Sequence, residues 1–190
     1  MPTIMLGMQV SGLAAARMSG FTLVELMVTL VVAGVLLAVA VPSFHRMMVT
    51  SRVTAQANEL VAAINFARSE AIKRNTAMAL CRANRANPTN CASPQTGNWQ
   101  LWIVRPAAAG GTVVRSGVVN EFSNALAVRS TLTGDRVVFG PDGLARTGGV
   151  VIEEERITVC TPRSAERETR RRIVLGVGSR LETEPFVGDC

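Results

Sequence analysis

The stretch Ser19–Phe44, SGFTLVELMVTLVVAGVLLAVAVPSF, decides the fold of this chain. Its residues from Leu26 to Val41 carry no charge, and Glu25 is the only charged residue of the whole stretch. A run of ~20 such residues forms a helix long enough to cross the ~30 Å hydrocarbon core of a bilayer. We therefore predict a membrane-spanning helix with one carboxylate near its start.

The order of the flanking residues separates this segment from a secretory signal peptide. Signal peptides place a shorter apolar core after a basic start and a small-residue cleavage site behind that core. Here the small residues Ser19 and Gly20 precede the apolar run, and Arg17 is the only cation before it. A cut after Gly20 would therefore keep the apolar run in the mature protein.

Glu25 needs a partner, because a lone carboxylate in lipid costs at least ~2.5–3.5 kcal/mol. Cleavage after Gly20 would give Phe21 a new α-amino group, one helical turn from Glu25. In an assembly, the carboxylate of one subunit can meet the amine of its neighbour within a shared apolar core. This is a physical reason to place an acid at this position.

These residues resemble the N-terminus of type IV prepilins and pseudopilins, through Gly20, Phe21, Thr22, Leu23, Glu25 and Pro42. The resemblance implies that an inner-membrane prepilin peptidase cuts after Gly20 and N-methylates Phe21. It also makes residues 1–20 a leader peptide. An ordinary membrane anchor is the alternative that this motif disfavours.

The helix is predicted to continue past the membrane, from about Phe21 to Arg74. Residues 21–41 form its transmembrane half and residues 42–75 its amphipathic half, with a kink at Pro42. Apolar residues recur at helical spacing in the second half, at Val49, Val53, Leu60, Ala63, Ile64, Ala67 and Ala71. This face should pack on a globular head; a free coiled coil is disfavoured because the heptads are short and rich in alanine.

Residues 76–190 read as a β-rich head of short strands, predicted at Thr76–Cys81, Trp99–Val104, Thr112–Val119, Leu126–Leu132, Arg136–Phe139, Val150–Cys160 and Arg172–Val177. Turn residues separate them, in ANPTN, PAAAGG, LTGD, GPDG and RTGG. The gaps leave no room for crossover helices, so the sheet should be antiparallel. The expected fold is α+β and pilin-like, a long N-terminal helix packed on an antiparallel sheet.

Four cysteines lie in this head, which the resemblance places in the oxidising periplasm, where disulfides are the default. Three connectivities are possible. We expect Cys81–Cys91, closing an Asn- and Pro-rich loop, and Cys160–Cys190, tying the tail to a late strand. A zinc site is a poor alternative, because no C-x-x-C pair occurs and the sole histidine, His45, belongs to the juxtamembrane helix.

Four further segments identify the branch of the family: ARSEAIKRNTAMALC, NWQLWIV, FGPDGLA and RRIVLGVGSRLE. Their order resembles the GspH/FimT minor pilins and pseudopilins. The resemblance implies a single-pass inner-membrane subunit that helps to initiate or cap a type IV pilus together with other minor pilins. The alternative is pseudopilin H of the type II secretion pseudopilus. No cofactor is expected.

DNA binding is a second alternative, because some FimT-type subunits bind DNA through a glycine-arginine-x-arginine loop. The equivalent residues here are Gly178-Ser179-Arg180-Leu181, with one arginine out of step and the second missing. The candidate phosphate ligands are Arg163, Arg170, Arg171, Arg172 and Arg180. Glutamates interleave with them and no aromatic platform is evident nearby, so a solvated charged loop is the favoured interpretation.

Catalysis is not expected. Gly176-x-Gly178 is too short for a nucleotide fingerprint, and no Gly-x-Ser-x-Gly elbow occurs. The run Glu153-Glu154-Glu155 lies in a strand pattern, where successive side chains point to opposite faces. We therefore regard the chain as a substrate of the peptidase, not as an enzyme.

Overall fold

One long α-helix, α1, runs from Leu23 to Arg74 in the computed structural model, which describes residues 20–92, 97–119, 126–161 and 170–187. The chain divides into two units between Ser43 and Phe44. The N-terminal part of α1 is long and apolar enough to cross a membrane. All residues from 20 to 48 are exposed, so no described residue of the first unit covers this apolar surface.

The second half of α1 buries one narrow stripe. The stripe follows the spacing of three and four residues that defines a helix face, and its buried apolar members are Val53, Ala57, Leu60, Ala63, Ile64, Ala67 and Ala71. The predicted stripe is thus confirmed, except that Val49 is only half-buried. The contact with the head begins at Val53.

The helix ends at a left-handed asparagine. Asn75 has φ 48°, its N–H donates to the Ile72 carbonyl, and the Thr76 N–H donates to the Ala71 carbonyl. These two bonds form a Schellman motif, in which asparagine is the usual substitute for glycine. The chain therefore turns sharply into the first strand.

Eleven strands follow in the described residues: β1 Met78–Asn84, β2 Asn87–Cys91, β3 Leu101–Pro106, β4 Arg115–Val118, β5 Ala127–Ser130, β6 Arg136–Phe139, β7 Ala145–Thr147, β8 Val150–Val151, β9 Glu154–Cys160, β10 Arg170–Gly176 and β11 Arg180–Pro185. They form two sheets. The first has the order β4-β3-β1-β6-β7-β8, with β2 also paired to β1, and the second has the order β11-β10-β9-β5. All pairs are antiparallel, as predicted.

Three strands were missed and one was predicted as continuous but is broken. The ANPTN segment, interpreted as a turn, lies largely in β2, which is held against β1 despite its turn-forming residues. The strands β7 and β11 were not predicted. The segment Val150–Cys160 breaks at Ile152 and Glu153, so that β8 joins the first sheet and β9 the second.

The α1 stripe and both sheets share one hydrophobic core. Its largest fully buried side chains include Trp99, Trp102, Phe139, Leu60, Ile157 and Ile173. Together with the helix stripe, these side chains fix the side of each sheet that faces inward.

A buried ion pair joins the two sheets within this core. Arg82 Nε of β1 donates to Asp135 Oδ2 at 2.8 Å, and the two side chains are only 8% and 4% exposed. The Ser130 hydroxyl of β5 donates to Asp135 Oδ1 at 2.6 Å. Asp135 closes a turn in which Gly134 has φ 72° and Asp135 itself φ 48°. Few residues tolerate this left-handed backbone conformation, and it positions the Asp135 carboxylate for the ion pair.

A disulfide fixes the outer face of the first sheet. Cys81 of β1 is bonded to Cys91 of β2, as predicted, above a small apolar cluster that contains Ala83 and Ile103. The other predicted pair stays a prediction: Cys160 is buried in β9, and Cys190 lies outside the described residues.

Candidate functional site

The start of α1 is capped by Thr22. Its hydroxyl oxygen accepts a hydrogen bond from the Glu25 N–H at 3.2 Å, and its carbonyl accepts one from the Leu26 N–H at 3.1 Å. A threonine at the N-cap with glutamate three residues later is the sequence of a capping box. The sequence around Glu25 therefore also predicts a helix start. In addition, an acidic residue in the first turn stabilises the positive end of the helix dipole.

The predicted cleavage position lies directly before this cap. Gly20 and Phe21 are exposed, Phe21 to 81%, and a Cβ atom added to Gly20 would have no other atom within 4 Å. The protein itself thus imposes no steric need for glycine here. If glycine is required at position 20, the requirement must come from a partner protein that binds this segment.

Pro42 lies inside α1 without ending it. Proline removes the N–H that would bond the carbonyl four residues earlier, and the helix continues past it to Arg74. The kink predicted at Pro42 stays a prediction. His45, three residues later, is exposed on the helix.

The four candidate DNA-binding arginines that the structure describes do not form one surface. In β10, Arg171 precedes the buried Ile173 on the core side, and its Nε donates to Thr54 Oγ1 of α1 at 3.4 Å. Arg170 and Arg172 occupy the alternate positions, on the outer face, and Arg170 is only 9% exposed. Arg163 lies outside the described residues. Within the described strands, therefore, the candidate arginines lie on both faces of the sheet and do not make a single basic face.

Carboxylates neutralise the remaining two arginines. Arg172 lies opposite Glu184 in the register of β10 and β11, with 3.7 Å between Nη1 and Oε1. Arg180 pairs with Glu182 at 2.7 Å. These are the glutamates that the sequence placed after the basic run, so the outer face carries alternating charges and not a continuous positive surface.

Sequence comparison gives the family. The model for "Type II transport protein GspH" matches residues 56–178, and the model for "Prokaryotic N-terminal methylation motif" matches residues 16–41. The chain belongs to the GspH family. With its methylation motif and its long helix on an antiparallel head, it is a minor pilin or pseudopilin subunit of the GspH/FimT type, as its sequence predicted. No curated protein sequence matches it significantly.

Solved structures share the fold of this GspH-family subunit. A crystal structure of the type IV minor pilin FimU from Pseudomonas aeruginosa superposes with a TM-score of 0.51 at 16% identity, covering 71% of this chain and 90% of FimU. The minor pseudopilin EpsH from the type 2 secretion system of Vibrio cholerae superposes with a TM-score of 0.50 at 9% identity, covering 70% of this chain and 97% of EpsH. Both confirm the pilin-like fold.

The β10–β11 loop of the GspH-family head is pinned from two sides. Val177–Ser179 forms a short 3-10 turn in which Gly178 has φ 69°. The buried Ser179 accepts two hydrogen bonds, one at its Oγ from the Ala145 N–H at 2.6 Å and one at its carbonyl from Arg68 Nη1 at 3.2 Å. Ser179 therefore points into the head, and only Arg180 of this loop presents a guanidinium to solvent.

An aromatic side chain near the basic residues was missed. Phe186, just after β11, lies under Arg172, with the guanidinium carbon 3.7 Å from the ring centroid. This cation–π contact holds the end of β11 against β10. Sequence separation hid the contact, because Arg172 and Phe186 meet only through the hairpin register.

The acidic residues of the described part of the chain form no metal-binding group. Within that part of the chain, no group of three histidine, cysteine or acidic residues could hold a metal ion. Glu154 and Glu155 are engaged by Arg156 and Thr131 respectively. Glu154 and Glu155 alternate along β9, whereas Glu153, predicted in the same strand, lies at the break between β8 and β9.

Proposed function

We propose that this subunit is cut after Gly20 by a prepilin peptidase, methylated at Phe21, and built into the tip of a filament, where it helps to initiate or cap a type IV pilus. The observation that carries the proposal is the exposed, apolar first half of α1, which lies within the matched methylation motif, residues 16–41. So much apolar surface is not stable in water. A membrane would cover it before assembly, and neighbouring subunits afterwards, with the head on the periplasmic side.

Processing is tested by Gly20→Val with Gly34→Val as the matched control. A Cβ at either glycine meets no atom of the protein within 4 Å, so neither change should disturb the subunit itself. We expect Gly20→Ala to be cut partly, Gly20→Val to stay full length, and Gly34→Val to be processed normally. Mass spectrometry of mature wild-type protein should find methylated Phe21 at its N-terminus. An uncut N-terminus in cells that contain the peptidase would refute the proposal.

The role of Glu25 is tested by separating assembly from helix capping. If Glu25 pairs with the N-terminal amine of a neighbouring subunit, Glu25→Val should insert and remain stable but enter filaments poorly. Thr22→Val removes the side-chain cap and leaves the carboxylate. We expect this control to assemble almost normally in a filament pull-down. Equal defects in the two variants would instead assign Glu25 to the cap.

Pseudopilin H of a type II secretion pseudopilus is the second candidate, favoured by the description of the matching family. Deletion of the gene distinguishes the two filaments. Loss of surface pili with normal secretion of exoproteins supports the pilus. Loss of secretion with normal piliation supports the pseudopilus.

A further inference from the structure

A cavity opens on the outer face of the first sheet, away from the α1 stripe. Its volume is about 460 Å³. We call it the Arg136 pocket. It is lined by Cys91 and Ala92 after the disulfide hairpin, Ala107 after β3, Arg136 and Val138 of β6, and the turns at Thr133–Gly134 and Gly148–Gly149. The one ionisable side chain among these lining residues is Arg136.

The guanidinium of Arg136 is only partly satisfied. Its Nη2 donates to the Ala107 carbonyl at 3.1 Å, whereas its Nε is buried and has no hydrogen-bond acceptor. None of the carboxylates in the described ranges forms an ion pair with it. A buried donor left without an acceptor costs about 1–3 kcal/mol, and the guanidinium charge has no carboxylate partner within these ranges, so the charged end of Arg136 favours an incoming anion.

A second cation increases that preference. Arg105 of β3 is only 9% exposed, and its Nη1 is held by the Thr89 carbonyl at 2.9 Å and Asn90 Oδ1 at 2.6 Å. Burial first, and then the charge of Arg105, lower the pKa of Arg136. Two arginines thus repel each other beside the pocket. By contrast Arg146, Arg172 and Arg180 of the same head each have a carboxylate partner.

We propose that the Arg136 pocket binds an acidic side chain of a neighbouring protein subunit. A carboxylate can accept hydrogen bonds from the two terminal nitrogens of one guanidinium, whereas the buried Nε of Arg136 does not face the pocket opening. The cavity is far larger than one oxyanion needs, and Ala107, Val138 and the Cys91 side offer apolar walls to the stem of a glutamate or aspartate. The net charge of the full chain, +6, stays positive after a cut that removes Arg17, and this also favours an acidic partner. This inference rests on the proposed assembly into a filament.

Propionate reproduces the carboxylate and stem of a glutamate side chain and is the probe for this site. The full-length protein in detergent micelles is titrated with propionate at constant ionic strength, while NMR follows the Nε–Hε signal of Arg136 and the amide signals of Gly148 and Gly149. Propionamide, the neutral isostere, is the matched ligand control. We expect saturable shifts with propionate and none with propionamide.

Two variants test whether the charge of Arg136 is responsible for propionate binding. Arg136→Gln should weaken propionate binding about tenfold or more, since one charge-assisted bidentate contact is worth more than about 1.4 kcal/mol. Arg156→Gln, on the second sheet, should leave binding unchanged. If Arg136→Gln fails to fold, judged by its amide spectrum, Arg136→Lys keeps the charge without the fork and should bind more weakly than the wild type.

Inorganic phosphate distinguishes the source of the anion. Phosphate binding more than about tenfold tighter than propionate would overturn a partner carboxylate in favour of a free oxyanion. Equal shifts with propionate and propionamide, or no shift at all, would overturn the site altogether. Because the assay needs no filament, such a failure would leave the processing and incorporation experiments untouched.

Discussion

The buried pair between Arg82 and Asp135 should be the most sensitive polar contact of the head. Replacing Asp135 by asparagine keeps the shape and removes the charge. Asparagine is the right choice because position 135 has φ 48°, a conformation that asparagine and aspartate tolerate better than other non-glycine residues. The loss therefore reports the ion pair and not backbone strain.

The magnitude follows from burial. Both side chains are less than a tenth exposed, and removing one partner of such a pair costs ~3–5 kcal/mol because the other charge stays buried. The asparagine side chain retains one oxygen as an acceptor, so we expect the low end of that range, about 3 kcal/mol. The matched control is Glu182→Gln, which breaks the Arg180–Glu182 pair, with side chains 74% and 57% exposed. An exposed pair contributes only ~0–1 kcal/mol.

The assay is urea denaturation of a soluble head that begins at Val49. We expect this head to fold alone under oxidising conditions, because the fully buried stripe of α1 begins at Val53 and all strands are retained. Trp99 and Trp102 are each 1% exposed, so their fluorescence reports the loss of the core. With a slope of ~2 kcal/mol per M, Asp135→Asn should lower the midpoint by about 1.5 M. A shift no larger than that of Glu182→Gln would refute the reasoning.

Three further predictions concern separate parts of the head. The hydrogen bond from Arg146, and then the one from the Leu144 N–H, lower the pKa of Asp142 from 3.8 to about 2. The ionised Asp142 therefore stabilises the fold above about pH 4, and this contribution is lost as the pH falls toward about 2. The melting temperatures of wild type and Asp142→Asn should converge over that interval. Gly117→Ala would place a Cβ 2.3 Å from the Trp102 ring, and this overpacking should cost about 1–3 kcal/mol in the same urea assay, whereas Gly176→Ala, whose Cβ meets nothing nearer than 4.0 Å, should cost less. In a gel shift, the head should bind duplex DNA negligibly at physiological salt; tight binding abolished by a triple alanine variant would reverse the interpretation of the basic residues Arg171, Arg172 and Arg180.

Local patterns predicted the helix and its buried face because both depend on neighbours in sequence. The apolar run follows from its length and lack of charge, and the stripe from Val53 to Ala71 follows from helical periodicity. The Thr22 cap was also readable, because a threonine three residues before a glutamate is the spacing of a capping box.

The remaining features depend on contacts between distant residues. The strand β2 runs through Asn87 and Pro88, which favour turns, and exists because β1 and the Cys81–Cys91 bond hold it. The strand β11 is largely exposed and charged, so no apolar alternation marks it. The pairing of Arg82 with Asp135 spans 53 residues, and neither residue alone indicates it. Pairing between strands, unlike helix periodicity, cannot be read from a single segment.

Glu25 stabilises the start of α1 and also carries a charge that lipid disfavours, and both properties bear on assembly. In an isolated subunit its carboxylate lies in the first turn, where the helix dipole and the Thr22 cap stabilise the start of α1. That stabilisation is local and falls short of the cost of carrying a charge into lipid. A new amine on Phe21 of an adjacent subunit would supply the missing counter-charge within an apolar, water-poor packing, where an ion pair is strongest. Because the charge of Glu25 is only partly compensated within one subunit, it is expected to favour association between subunits. The comparison of Glu25→Val with Thr22→Val measures how much the carboxylate contributes to assembly and how much to the helix cap.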